Sequence, residues 1–190
     1  MRRAFCAAYP FWAPDGEHLG FVAEHNLKVV SANGGPPQNV CDVGSVQDAR
    51  GGAWRSEDLV LFTPDWQTGL FRTLISSCDV KPVTTLEEGE SSHRWPEVLP
   101  DGEHFIFFSS AVAQKSGLYL GSLSDGRVTR LADATSFAVY AEPGFLVFLR
   151  GQTLIDISHV RWGEARGEPG LGMMSGYGDA LRPQFADQAS

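Results

Sequence analysis

An all-β fold, built from four successive small antiparallel sheets, is predicted for this 190-residue sequence by three observations. The five residues Pro14-Asp15-Gly16-Glu17-His18 recur unchanged at Pro100-Asp101-Gly102-Glu103-His104, 86 positions on, and Pro143-Gly144 follows Pro100 by 43. Each of these turns feeds a short apolar run flanked by Gly or Pro, the pattern of a buried strand. The 21 Gly and 11 Pro are too evenly scattered for long helices, and no window keeps an i, i+3, i+4 apolar stripe. Four strands in each repeat of this length are the signature of a β-propeller blade. A β-sandwich would share the strand spacing but not the turn recurring at a fixed period.

The units run from about Ala8 to Asp42, Ser45 to Glu90, Ser91 to Asp133 and Ala134 to Pro169, so repeats occupy 1–169. Each opens with a strand ending near an aromatic residue: Trp12, Trp54, Trp95 and Tyr140. The turn follows as Pro14-Asp15-Gly16, a degenerate Ser56-Glu57-Asp58, Pro100-Asp101-Gly102 and Pro143-Gly144. Proline presets φ, aspartate caps the turn through its side chain, and glycine takes the positive-φ position. Second strands are expected at Leu19–Val22, Leu59–Phe62, Phe105–Phe108 and Phe145–Leu149. Third strands follow at Leu27–Val30, Leu70–Leu74, Leu118–Leu123 and Leu154–Ile157. Fourth strands close the first three units near Gln38–Cys41, Pro82–Thr84 and Val128–Leu131. Residues 170–190 are Gly-rich and without alternation, and are expected to form a poorly ordered tail.

Composition narrows the function classes. A hydrophobic content of 43% and a charged content of 20% are ordinary for a globular protein with a real core. The net charge is −8 and no Lys/Arg cluster appears beyond Arg2-Arg3, which argues against nucleic acid or an anionic membrane as partner. No run approaches the ~20 apolar residues of a membrane span. Met1-Arg2-Arg3 and the apolar Ala4–Tyr9 imitate a signal peptide, but the stretch is short and enters the first repeat. The chain therefore reads as soluble as written. Cys6, Cys41 and Cys78 lie far apart, with no C-x-x-C, and are expected to be small or free thiols rather than a disulfide framework or zinc site.

Three phrases carry a resemblance. Phe11-Trp12-Ala13-Pro14-Asp15-Gly16, with its strand and the Gly34-Gly35-Pro36-Pro37 turn, resembles the TolB-like, WD-repeat-like β-propeller. Arg50-Gly51-Gly52-Ala53-Trp54 and Ser92-His93-Arg94-Trp95-Pro96 resemble the propeller that follows the kinase domain in many bacterial serine/threonine protein kinases. The resemblance covers roughly Tyr9 to Pro169. It implies a propeller of more than four blades, hence a partial, open ring here, in an extracytoplasmic part of a membrane-anchored signalling protein. It also implies a kinase domain elsewhere, since this sequence has no Gly-rich loop, no Asp-Phe-Gly and no His-Arg-Asp.

No other catalytic pattern stands out. There is no Gly-x-Ser-x-Gly elbow, and Ser91, Ser92 and His93 alternate across a strand rather than converge. Gly170-Leu171-Gly172 neither follows a strand nor opens a helix, so no dinucleotide cofactor is expected. The repeated Asp-Gly-Glu-His invites a metal, but its recurrence at equivalent blade positions favours a turn cap with solvated Glu and His. No metal is expected. Trp12, Trp54 and Trp95 recur by period and are read as packing between blades, whereas Trp66 and Trp162 fall outside the period.

The innermost strands of a propeller line its channel, so polar residues there converge. Asp48, Arg50, Ser92, His93 and Arg94 are the candidates, suited to an acidic group or peptide carboxylate, with hydrogen bonding inside the propeller as the plainer alternative. The sequence thus points to a non-enzymatic binding or sensing module for a protein, peptide or glycan. The alternatives are a propeller that gates a hydrolase and a truncated piece without independent function. The terminal blades, around Phe11 and Phe21 and around Phe145 and Phe148, are expected to show apolar faces and to favour self-association.

Overall fold

The computed structural model describes residues 9–44, 48–54, 56, 58–112 and 115–157. The tail at 170–190, Trp162 and Cys6 lie outside the described residues.

Four antiparallel sheets follow one another along the chain. Blade one is β1 (Phe11–Trp12), β2 (His18–Ala23), β3 (Asn26–Ser31) and β4 (Gln38–Asp42). Blade two is β5 (Gly52–Trp54), β6 (Leu59–Phe62), β7 (Phe71–Leu74) and β8 (Lys81–Pro82). Blade three is β9 (Glu90–Val98), β10 (His104–Ala111), β11 (Gly117–Ser122) and β12 (Val128–Ala132). Blade four shows three strands, β13 (Ala138–Ala141), β14 (Phe145–Arg150) and β15 (Thr153–Ile157). Each sheet is a meander in which sequence neighbours pair. No α-helix occurs among the described residues.

The turns explain the meander. In both full copies the aspartate Oδ1 accepts two backbone N–H groups, from Glu17 and His18 at 2.8 and 3.0 Å, and from Glu103 and His104 at 2.9 Å each. Gly16 and Gly102 take φ of 68° and 69° and donate N–H to Ala13 and Leu99 C=O. Gly144 N–H also donates to Ala141 C=O, but Pro143 stands third in that turn after a cis Glu142–Pro143 bond and Gly144 has φ of 133°, so the shortened third copy is a different turn at the same place in the blade. In blade two Ser56 substitutes for the aspartate, its Oγ accepting from Leu59 N–H at 3.1 Å. The histidines of the motif are not merely solvated. His18 Nδ1 lies 2.6 Å from Asp15 Oδ2, and His104 Nδ1 lies 2.7 Å from Asp101 Oδ2, closing each turn with a local side-chain hydrogen bond. Glu103 Oε1 accepts from the Ser122 and Ser124 hydroxyls at 2.6 Å, tying the turn to the next hairpin.

An added Cβ at Gly102 meets nothing within 4 Å, so any cost of replacing it is purely conformational. Gly102→Val is expected to destabilise by about 1–3 kcal/mol, because a β-branched residue is driven to positive φ. An unchanged thermal melt would show that the turn relaxes at no cost.

Packing occurs between blades. One core joins blades one and two through Phe11, Val22, Leu27, Val60 and Phe62. A second joins blades two and three through Leu61, Leu70, Val98, Phe105 and Phe107. A third joins blades three and four through Leu99, Ile106, Phe108, Leu146 and Phe148. The side-chain alternation of a strand accounts for this division: Val60 and Phe62 face one neighbour and Leu61 the other. The apolar runs of β6 and β10 are continuous because both faces are buried.

The blades touch in series, and no pairing of comparable extent returns from blade four to blade one among the described residues. The ring is open. The terminal faces differ from the sequence expectation, however. Phe11 and Phe148 are buried, at 8% and 2% exposure, because they point into the inter-blade cores. Phe21 and Phe145 are half-buried, and the exposed large apolar residues are Tyr9 and Trp12 on blade one and Phe137, Val139, Leu149 and Leu154 on blade four.

A further correction concerns the cysteines. Cys41, on β4, is disulfide-bonded to Cys78, in the turn after β7, with Cα atoms 5.3 Å apart. Wide spacing in sequence suggested separate thiols, but stacking blade two on blade one brings the two positions together.

Candidate functional site

Strand register corrects the alignment of the tryptophans. Trp12 pairs with Leu19, Trp54 with Val60, Val98 with Phe105 and Tyr140 with Leu146, so these four positions are equivalent. Trp95 stands three residues earlier in its blade than this series. A register irregularity in the β9–β10 ladder separates the two, and Trp95 sits there with φ of +50°. The residues equivalent to Trp95 are Tyr9, Gly51 and Phe137. Trp12 belongs to the face on which Trp54 and Tyr140 meet a preceding blade, and it is 58% exposed because none stands before it among the described residues. Trp66, outside the period, lies half exposed between β6 and β7.

Tyr9, Gly51, Trp95 and Phe137 converge. Tyr9 and Trp95 meet edge to face with ring centroids 6.0 Å apart, and Trp95 and Phe137 are 5.8 Å apart. Together with Pro10, Gly52, Pro96, Glu97 and Ala138 they line a largely apolar groove of ≈ 380 Å3 across the inner strands. Three of the four equivalent residues have positive φ, at 56°, 95° and 50° for Tyr9, Gly51 and Trp95. Glycine is required at the second, since a Cβ there would meet Trp95 Cδ1 at 3.0 Å and Trp95 Cα at 3.3 Å.

The residues one position before Gly51 and Trp95 are Arg50 and Arg94. Trp95 N–H donates to Arg50 C=O at 2.9 Å, so the backbones of the two inner strands are hydrogen-bonded to each other. Arg50 lies over the Tyr9 ring, 6.0 Å from its centroid, and Arg94 lies 5.9 Å from that of Trp95. Arg50 pairs with Asp48 and donates to Tyr9 Oη at 3.3 Å. Its Nε is buried without a hydrogen-bond partner among the described residues, as is Trp54 Nε1. Arg94 donates Nε–H to Ser92 Oγ and has no carboxylate within ion-pair distance among the described residues. Burial, and then the charge of Arg50, pull Arg94 below its ordinary pKa, although a guanidinium stays charged. The spot carries a net positive charge on an acidic chain.

His93 and Ser92 take other positions. Ser92 is fully buried, holding Arg94. His93, 3% exposed, points away from the arginines onto the Phe107 ring at 4.6 Å. Leu70 N–H donates to Thr84 Oγ1 at 2.8 Å, which leaves the hydroxyl to donate to His93 Nδ1 at 2.6 Å. His93 Nε2–H then donates to Glu90 Oε2 at 3.1 Å, and Ser109 donates to Glu90 Oε1 at 2.6 Å. Burial holds His93 below the usual imidazole pKa, outweighing the nearby carboxylate. For Glu90, burial acts upward but the bonds from Ser109, Glu87 N–H and His93 prevail, keeping its carboxyl below the usual range. This hydroxyl–imidazole–carboxylate chain borders a polar depression of ≈ 360 Å3. Thr84 is buried and its oxygen is already engaged by Leu70, so the chain ties blade two to blade three rather than presenting a nucleophile.

Of the five residues singled out from sequence, Asp48, Arg50, Ser92 and Arg94 therefore form one cluster and His93 another. Tyr9 and Phe137 escaped notice. Their signal was an aromatic residue three positions before Trp12 and before Tyr140, recurring with Trp95 and Gly51 at spacings of 42 to 44 residues.

Three inter-blade cores and a groove floored by equivalent inner-strand residues define the class: the chain is an arc of β-propeller blades. Its fold is TolB-like. It superposes on TolB from Acinetobacter baumannii with a TM-score of 0.58 and 19% identity, over 80% of this chain and 40% of that one. A structure of a nidogen/laminin complex matches with a TM-score of 0.57 and 10% identity, over 70% of this chain and 50% of that one. A puromycin-hydrolyzing peptidase from Mycobacterium tuberculosis matches with a TM-score of 0.52 and 15% identity, over 76% of this chain and 27% of that one. The chain thus spans half or less of the length of these structures. No protein-family model matches the sequence, and no curated protein does. No helix among the described residues is long and apolar enough to cross a membrane.

Proposed function

We propose that the chain is a non-catalytic recognition module that binds a peptide, or an extended segment of a protein, across its inner-strand groove. The observation that carries this reading is the convergence of Tyr9, Trp95 and Phe137 with Arg50 and Arg94. Aromatic surface and guanidinium donors on a rigid backbone are what a peptide site needs. The Arg50-Gly51-Gly52-Ala53-Trp54 and Ser92–Pro96 phrases support placing the module in a bacterial serine/threonine kinase signalling protein. The Cys41–Cys78 disulfide supports an extracytoplasmic setting, since such bonds persist in oxidising compartments.

Panning phage-displayed linear peptides against the 190-residue chain tests the reading. Selected peptides are expected to lose binding to Phe137→Ser and Arg94→Ala, but not to Val128→Ser on the exposed outer strand of blade three. No enrichment, or peptides that bind all three variants equally, would overturn it.

A further inference from the structure

The groove is chemically polar along its length. Arg50 and Arg94 stand just outside the lining, beside the end where Tyr9 and Trp95 meet, each about 6 Å from one of those rings. Glu97 is the one carboxylate in the lining, and its Oε1 turns toward blade four to accept Tyr140 N–H at 3.1 Å. An anion entering the groove is therefore drawn to the Arg50–Arg94 end. There Arg94 lacks a carboxylate partner among the described residues, whereas Arg50 is paired with Asp48 and its Nε is buried.

Each guanidinium carbon lies 6.0 or 5.9 Å from the centroid of a groove-lining ring, so an acid and a large apolar group of one ligand must lie close together. A chain-terminal residue meets that requirement, since its carboxylate and side chain branch from a single Cα. An internal aspartate or glutamate does not, because its apolar neighbour is a residue away and the chain must also leave at both ends. We propose that the groove recognises the C-terminus of a peptide. The last, large apolar side chain packs on Tyr9, Trp95 and Phe137, and the terminal carboxylate is held by Arg50 and Arg94. Charge-assisted bonds from guanidinium to carboxylate give the direction, and the aromatic floor gives the side-chain preference. This rests on the reading that the inner-strand face binds peptides.

The test is fluorescence polarisation on the full chain with three labelled hexapeptides. One ends in Leu-Phe with a free carboxylate, one is its C-terminal amide, and one carries Phe-Asp internally with an amide end. The free acid is expected to bind at least tenfold more tightly than the other two. Arg94→Ala is expected to remove that difference, and Arg94→Lys to keep part of it. Equal binding of acid and amide, both weakened by Phe137→Ser, would overturn recognition of the terminus and leave peptide binding standing. Equal binding of the internal-aspartate peptide and the free acid would do the same. Failure of all three peptides to bind would overturn both readings. Should Arg94→Ala not fold, the acid-to-amide comparison on the unaltered chain and the Arg94→Lys variant decide.

Discussion

Reduction of the Cys41–Cys78 bond, or replacement of both cysteines by serine, is expected to cost roughly 2–4 kcal/mol of stability. The bond closes a loop with a sequence separation of 37 and ties the outermost strand of blade one to blade two. Cross-linking a loop of this length restricts the unfolded chain far more than the folded one. Cys41 is also 3% exposed, in the core with Val22, Leu27 and Val60, so blade one docks on blade two partly through this residue. Apart from Tyr9, which reaches Trp95, the sheet of blade one packs on blade two alone among the described residues, and its amides are expected to lose hydrogen-exchange protection first when the bond is cut. Urea melts with and without reductant read the effect. Coincident transitions, with blade one still protected, would mean that packing alone holds the blade.

Phe105→Ala is expected to be comparably severe, at about 3–5 kcal/mol, the range for emptying a buried phenylalanine site. The ring is 1% exposed in the core between blades two and three, stacked beside Phe107 at 5.9 Å. It lies directly on Gly121, where a Cβ would come within 2.1 Å of it. Glycine on the neighbouring strand is thus the condition for the ring's position, and no side chain of β11 at that point can fill the void left by alanine. Phe145→Ala, on the half-buried outer face of blade four, is expected to cost much less. Equal losses for the two substitutions in urea melts would show that the inter-blade core does not dominate stability.

The architecture was legible because its determinants are local. Each Pro-Asp-Gly turn closes within a few residues, through hydrogen bonds from the aspartate side chain to the next N–H groups. A tight turn between apolar runs fixes an antiparallel hairpin, and three turns in a row fix a four-stranded meander. Much of the site was legible for the same reason: Asp48 with Arg50, just before β5, and Ser92 with Arg94, on β9, are pairs two residues apart.

Other features depend on contacts across blades. Every position of Phe105-Ile106-Phe107-Phe108 is apolar, so composition alone does not say which side chain meets blade two and which meets blade four. The positive φ of Trp95, beside the irregular stretch of the β9–β10 ladder, is set where its N–H meets Arg50 of another blade, a contact no local motif encodes. That contact holds Trp95, already three residues out of line with Trp12 and Trp54, in the groove with Tyr9 and Phe137.

The sequence by itself determined the strands, the turns and the number of repeats, since hydrogen bonds and alternation act over a few residues. Only the tertiary structure decided the Cys41–Cys78 pairing, the turning of His93 into a buried tie, and the meeting of Tyr9, Arg50, Arg94 and Phe137. These join residues from different sheets, and their proximity follows from how each blade stacks on the next, through apolar side chains that carry no address in the sequence.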